Sequence, residues 1–350
     1  VGDRDQQEPL GALIRAEIAA SGPMRLDRYM ALCNARYYAT RDPLGRGGDF
    51  VTAPEMTQAF GELLGAWVAA VWQSLGRPDP VLLAEAGPGR GTLMADALRL
   101  ADRVAPDFAS AARVHLIETS PVLRAAQQAR LGGRVAAWHD DIATLPEGPL
   151  LLLANEFLDA LPVRQFRRTE HGWRERAVGV EGERLVWTTI PASDPPASGA
   201  AAERGDAALA WVSALAARLV RQGGAALVID YGRMGGAADT LQAVRGHAPA
   251  DPLASPGEAD LTAHVDLAAV TAAARAAGAA VHGPVPQGAF LRALGLPERT
   301  AVLCRAARPE TARQLQAAVR RLTDADAMGL LFQAVAITQP GLPTPPGVAA

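Results

Sequence analysis

Residues 81–100 read VLLAEAGPGRGTLMADALRL, and their pattern decides the fold. Val81 to Ala84 form a short apolar run, Glu85 closes it, glycines follow at 87, 89 and 91, and helical periodicity starts near Thr92. The pattern predicts a buried strand, a tight turn and a helix. Gly87, Gly89 and Gly91 let the main chain turn sharply and approach a ligand that a Cβ would hold off. The helix start at Thr92 adds unpaired N–H groups that suit a carboxylate or a phosphate. Such a unit holds a nucleotide-like cofactor.

Three details narrow the choice. A phosphate-binding P-loop needs a lysine, and all 34 basic residues of this chain are arginine. The same absence excludes chemistry that runs through a lysine amine. The dinucleotide fingerprint is G-x-G-x-x-G, whereas the third glycine here comes one residue early. Glu85 stands two residues before the first glycine, where it would repel a pyrophosphate but attract a cationic amino group. S-adenosylmethionine carries such a group. Next, RVHLIE (113–118) predicts a second strand ending in Glu118, with Ser120 and Pro121 opening a helix. An acid at that tip grips ribose hydroxyls, a feature common to nicotinamide and S-adenosylmethionine sites. After a third strand near 135–138, Asp141 is a candidate for the adenine amino group and Ile142 for the ring face. A solvated turn explains Asp140 and Asp141 equally well.

Composition sets the outer limits. The 350 residues are 49% hydrophobic with a net charge of −3, enough for a large core and without a basic run that would suit nucleic acid. Cys33 and Cys304 lie far apart and the six histidines show no ligand spacing, so no metal site is expected. Apolar runs such as LLLLA (150–154) are too short to span a membrane, and the start carries no signal pattern; a cytoplasmic protein is expected.

Along the chain, residues 1–75 read as a helical segment packed on the core. One helix over 9–20 carries Leu10, Leu13, Ile14 and Ile18 on a face, and a longer one runs from about Ala53, where Thr52 and Glu55 match a capping box. Residues 76–162 and 206–338 alternate strand and helix, the signature of an α/β fold with a mostly parallel sheet. Between them, 163–205 reads as an inserted antiparallel meander followed by a polar loop over 191–205. Residues 339–350 (QP GLPTPPGVAA, with Pro and Gly throughout) read as a disordered tail.

Seven blocks in order resemble the MidA-like methyltransferases, whose mitochondrial members are arginine methyltransferases that assist assembly of respiratory complex I. They are GDFVTAPEMTQAFGELLG (48–65), AGPGRGTLMADALR (86–99), HLIETSPVLR (115–124), ANEFLDALPVRQF (154–166), ALVIDYG (226–232), GEADLTAHVD (257–266) and QGAFLRALG (287–295). The resemblance implies a Rossmann-like methyltransferase core and S-adenosylmethionine as cofactor. It implies a protein arginine on a respiratory dehydrogenase subunit as substrate. It also moves Asp49, Thr52, Pro54 and Glu55 from helix capping to the cofactor site. A homodimer is compatible with the sequence.

Methyl transfer to a guanidinium needs alignment and a partner for the planar cation. Alignment is worth up to ~7–11 kcal/mol, and two carboxylates can bind the fork and localise its charge. Asn155, Glu156 and Asp159 follow the fourth strand, at the carboxyl edge where such folds bind ligands. The three-residue spacing of Glu156 and Asp159 would put both on one side of a helical turn. His264 is a candidate base or a packed side chain behind a Thr262 helix cap; Tyr231 is a candidate pocket wall or a buried, bonded tyrosine. Two other readings stay open: a cofactor-binding assembly factor with little catalysis, and a nicotinamide oxidoreductase.

Overall fold

The computed structural model describes residues 10–45, 48–49, 51–197, 199, 201–236 and 239–349. Residues 1–9 of the expected N-terminal segment, and Phe50 within the 48–65 block, lie outside them. Seven strands build the central sheet: β1 (Val81–Ala86), β2 (Ala112–Ile117), β3 (Val135–His139), β4 (Leu150–Asn155), β5 (Gly224–Arg233), β6 (Ala280–Pro286) and β7 (Phe332–Thr338). Their spatial order is β3-β2-β1-β4-β5-β7-β6, and Val265–Asp266 adds a short parallel pairing to the end of β5. β3, β2, β1, β4 and β5 run parallel, while β7 is antiparallel to both β5 and β6. The sheet is the mixed, mostly parallel one of a Rossmann-like methyltransferase.

Every residue of β1 and β4 is buried, because helices cover both faces of a parallel sheet and leave no polar side. Helices Gln58–Ser74 and Thr92–Val104 cover one face, with Trp67, Leu93 and Met94 among the buried residues. Gly61 and Gly65 let these two helices touch. A Cβ on either would lie 2.7 Å from the backbone or Cβ of the opposing helix, at Asp96 and Ala97. Asp206–Gln222 and Leu267–Ala276 cover the other face through Val212, Leu215, Leu219 and Val270.

A third apolar cluster lies away from the sheet. Helices Leu10–Ser21 and Leu26–Thr40 bury Ile14, Ile18, Tyr29 and Met30 against Val163, Val178 and Leu261. Val178 and Leu261 belong to an antiparallel sheet (164–169, 172–181, 184–191 and 201–204, joined by Met24–Arg25) and to a small sheet of 242–245, 248–249 and 260–262, and Val163 immediately precedes the first of these strands. The N-terminal helices thereby reach the carboxyl edge of the central sheet.

Several expectations change. Leu13 is 49% exposed, so the first helix buries only Ile14 and Ile18 of its expected face. The helix expected from Ala53 is broken: 53–56 forms a short turn, and Thr57 caps the long helix by accepting from Ala59 N at 3.3 Å. Asp266, not Thr262, caps the helix at 267, accepting from Ala269 N at 3.0 Å. Within the loop expected at 191–205, Ala201–Arg204 pairs with 164–167 and buries Glu203. The tail is ordered by partners its composition does not reveal. Leu342 and Val348 are buried, and Pro346 O accepts from the Trp67 indole at 3.1 Å, satisfying a donor that would otherwise be buried unpaired.

Candidate active site

β1, β2, β4 and β5 run parallel, so their carboxyl ends share one edge, and an acid stands at each: Glu85, Glu118, Glu156 and Asp230. A cavity of about 560 Å³ opens over that edge.

At the glycine end, Gly87, Gly89 and Gly91 have φ of 63°, 52° and 74°, the left-handed region that disfavours other residues. The Gln127 amide braces this turn. Its Nε2 donates to Gly89 O at 2.7 Å and to Glu118 Oε2 at 3.2 Å, while its Oε1 accepts from the Trp138 indole at 2.8 Å. Glu118 also accepts from Ser120 N at 2.8 Å. Burial raises its proton affinity, opposed by these donors. Glu85 is 3% exposed, and its Oε2 is buried without a protein partner. Burial pushes its carboxyl up to about 8, with the nearby Glu118 charge adding to the effect against a hydrogen bond from Met94 N–H. Asp42 and Glu55 are tied to the same turn and helix start: Arg90 pairs with Asp42 at 2.6 Å, and the Thr92 hydroxyl donates to Glu55.

The other end is lined by acids and hydroxyls from four segments. Asn155, Glu156 and Asp159 come from the turn after β4, Tyr231 from β5, Asp260 and Thr262 from strand 260–262, and Tyr38 from the second helix. The turn after β4 is not helical, as the Glu156–Asp159 spacing had suggested. Glu156 sits at φ 52°, and Asp230 shapes the turn by accepting from Phe157 N at 3.2 Å and Leu158 N at 2.8 Å. Glu156 Oε1 accepts from Ala53 N at 3.2 Å and Asn155 Nδ2 at 3.0 Å. Asn155 Oδ1 and Asp159 Oδ1 are buried without partners. Burial, then the Asp159 charge, pushes Glu156 up to about 7, and burial pushes Asp159 up to about 6. Among the described residues no arginine forms an ion pair with Glu156, Asp159, Asp230 or Asp260. An end so rich in uncompensated carboxylates is built for a cation.

Of the residues singled out in the sequence, Glu85, Gly87, Gly89, Thr92, Glu118 and Asp141 line the cavity, as do Thr52, Pro54, Asn155, Glu156 and Asp159. Three do not. Ile142 is buried against Ala86 and Ile117 under the sheet. Gly91 starts the helix behind the turn. Asp49 is spent on a clasp, accepting from the Tyr37 hydroxyl and from Gly246 N, both at 2.6 Å. Thr52 makes no side-chain cap bond, and Asp141 caps its own turn at Ala143 N. His264 faces a different hollow beside Arg233 and Glu203, which leaves it no part in this cavity. Tyr231 does line it. Tyr38, Gln127, Trp138 and Asp260 were missed; Tyr38 and Asp260 stand among other polar residues, in CNARYYATRD (33–42) and GEADLTAHVD (257–266), with no pattern that sets them apart.

A family model for S-adenosyl-L-methionine-dependent methyltransferases matches residues 63–285. The chain belongs to that family. S-adenosylmethionine is its cofactor, which sets aside the nicotinamide reading. This methyltransferase is 35% identical over 371 residues to the mitochondrial protein arginine methyltransferase NDUFAF7 homologue of Drosophila melanogaster, covering 94% of this chain and 84% of the relative. To human NDUFAF7, named a mitochondrial protein arginine methyltransferase, it is 32% identical, covering 96% and 85%. A Burkholderia thailandensis methyltransferase solved with S-adenosyl-homocysteine superposes with a TM-score of 0.83 at 29% identity, covering 99% of this chain and 97% of that one. No helix among the described residues is long and apolar enough to cross a membrane.

Proposed function

We propose that this methyltransferase modifies an arginine side chain of a protein partner, a respiratory NADH dehydrogenase subunit or a protein like it, and so aids its assembly. The observation that carries this reading is the pair of orphaned acceptors, Asn155 Oδ1 and Asp159 Oδ1, beside the Glu156 carboxyl group, which accepts from Ala53 N and Asn155 Nδ2 and forms no ion pair among the described residues. A guanidinium brings five N–H donors and a charge that no change of pH removes. The names of the relatives support the same acceptor.

The residues at the glycine end fit the cofactor. Glu85 offers an uncompensated buried oxygen to an ammonium group, and Glu118 and Asp141, which line the same cavity, are the acids that would take the ribose hydroxyls and the adenine amino group. Gly89 keeps the turn flat: a Cβ there would lie 2.6 Å from Leu44 Cδ1. Thr52 and Pro54 line the same cavity, on either side of the Ala53 N–H that donates to Glu156. When bound, S-adenosylmethionine supplies an electrophilic methyl group on its sulfonium. Glu156 and Asp159 hold the guanidinium in the opposite half of the cavity, and Asn155 accepts a further N–H. Their carboxylates draw positive charge toward the bonded nitrogens and leave the remaining nitrogen richer in electrons. The reaction releases one proton, and Glu156, with its raised proton affinity, is placed to accept it.

Mass spectrometry of the NADH dehydrogenase from cells with and without this chain tests the reading. Loss of a methylarginine in the deleted strain supports it, and an unmodified enzyme in both strains excludes it. Normal assembly in a Glu156→Gln strain that lacks the mark would assign the chain a scaffolding role instead.

A further inference from the structure

Two carboxylates on one turn can satisfy only part of a planar cation. A guanidinium directs its five N–H groups around three sides of its plane, and any left unpaired in a cavity shielded from water costs binding energy. The strand next to that turn holds a third acid: Ala263 N donates to Asp159 O at 3.0 Å, which sets strand 260–262 beside the turn. Asp260, on strand 260–262, is 6% exposed, lines the same cavity, and accepts from the Tyr38 hydroxyl through Oδ1 at 2.8 Å. It forms no ion pair among the described residues. Burial, then the charge of Asp159, pushes its carboxyl up to about 7, with Glu156 also contributing, so the three acids share one field.

A purely structural role does not account for this arrangement. An asparagine would accept the Tyr38 hydrogen bond as well, without the cost of a third buried negative charge beside two others. The wall itself is held firmly. Asn34, one helical turn before Tyr38, donates to Leu261 O at 2.7 Å and to Ala160 O at 2.9 Å, and accepts from Leu261 N at 3.2 Å. The strand bearing Asp260 and the turn bearing Asp159 are thus pinned to the same helix.

We propose that Asp260, held in orientation by Tyr38, binds N–H groups of the acceptor guanidinium that Glu156 and Asp159 leave unpaired and makes the site select arginine over lysine. The proposal rests on the arginine reading above. A lysine ammonium is a compact charge with three donors, too few for Asn155 and three carboxyl groups at once, whereas the wider guanidinium fork brings five. Asp260 is an acceptor-binding residue; Tyr38 is a positioning residue.

Calorimetric titration of the full chain saturated with S-adenosyl-homocysteine tests this, using Nα-acetyl-arginine methylamide and Nα-acetyl-lysine methylamide as probes. Wild type should prefer the arginine probe. Asp260→Asn should weaken that probe about 30-fold, in the range expected for a lost charged contact, while S-adenosyl-homocysteine affinity stays within about twofold. Tyr38→Phe should weaken the arginine probe about fivefold, a smaller loss because only orientation is removed, and lower the arginine-to-lysine ratio. A merely structural tyrosine would leave that ratio unchanged. Wild-type arginine affinity in Asp260→Asn, with that affinity lost in Glu156→Gln, overturns the role of Asp260 and leaves the arginine reading standing. A wild-type protein that does not distinguish the two probes overturns both. Should Asp260→Asn also lose S-adenosyl-homocysteine, Tyr38→Phe decides, and an unchanged ratio there overturns the proposal.

Discussion

The backbone N–H of Ala53 donates to Glu156 Oε1 at 3.2 Å, joining the segment before the first long core helix to the turn after β4. Glu156 adopts its left-handed φ of 52° while held there. Such a conformation costs of order 1–3 kcal/mol in a residue other than glycine and persists where the surroundings over-determine it. The segment at Ala53 and the turn after β4 are therefore held together.

Glu156→Gln keeps the acceptor for Ala53 and removes the charge. Methyl transfer should fall tens- to thousands-fold, the equivalent of ~2–5 kcal/mol for a truncated buried charge pair. Cofactor affinity should stay near that of wild type. Release of S-adenosyl-homocysteine, followed with the methylated partner, measures the first; calorimetry measures the second. Full turnover in this variant would remove Glu156 from the acceptor site.

Glu85 makes cofactor binding depend on pH. Its carboxyl is pushed up to about 8 by burial, so much of the free protein carries a proton there at neutral pH. An incoming ammonium needs the carboxylate, and binding should expel that proton. Affinity for S-adenosyl-homocysteine should rise from pH 6 to about 8 and then level off. Titrations at pH 7 in buffers of different ionisation enthalpy should show proton release, and Glu85→Gln should abolish both effects. A wild-type affinity that is flat over this range would contradict the assignment.

Gly89→Val places a branched side chain at φ 52° and against Leu44. Loss of S-adenosyl-homocysteine binding is expected with little change in the circular dichroism, since the strand and helix on either side keep their packing. Retained affinity would show that the turn does not form the cofactor bed.

The free protein should lose stability as pH rises from about 5 to about 8. Asp159, Glu156, Asp260 and Glu85 have proton affinities raised to about 6, 7, 7 and 8. Their unfolded values are near 4. Between the two limits the folded chain binds more protons than the unfolded chain, so the slope of stability with pH is negative. Below the window both states are protonated, and above it the loss is complete. Melting curves at half-unit pH intervals should show this fall, flattened in a Glu156→Gln, Asp260→Asn double variant. A midpoint that climbs through the window would refute the shifts.

Asn34→Ala should separate positioning from cofactor binding. Asn34 is buried and makes three hydrogen bonds to backbone groups of two segments. Leaving those groups unpaired should lower stability by about 1–3 kcal/mol. The acceptor wall would loosen, raising the KM for the protein acceptor more than the dissociation constant of S-adenosyl-homocysteine. Equal changes in both would mean that Asn34 supports only the fold.

The cofactor half of the site was legible in the sequence because it is local. A strand, three glycines and a helix start occupy residues 81–92, and Glu118 follows at the tip of the next strand. Hydrophobic runs and glycine spacing report backbone choices made over such short distances. The parallel core was readable for the same reason, strand by strand. The acidic end was legible only in part: Asn155, Glu156 and Asp159 were read from the sequence, whereas Tyr38 and Asp260 were not. Tyr38, Glu156 and Asp260 come from three distant segments, and only tertiary packing, pinned by Asn34, brings them to one cavity. The spacing of Glu156 and Asp159 pointed to two residues that line one cavity, but for a helical reason that does not hold: Asp230 bends a turn there, and no periodicity records it. Asp49 looked like a site residue by motif, yet Tyr37 and Gly246 consume its carboxylate. The tail looked disordered by composition, yet Trp67 and the core give Pro346 and Val348 a place to pack. Sequence reports what each residue prefers by itself, whereas burial and hydrogen-bond partners are properties of the assembled chain.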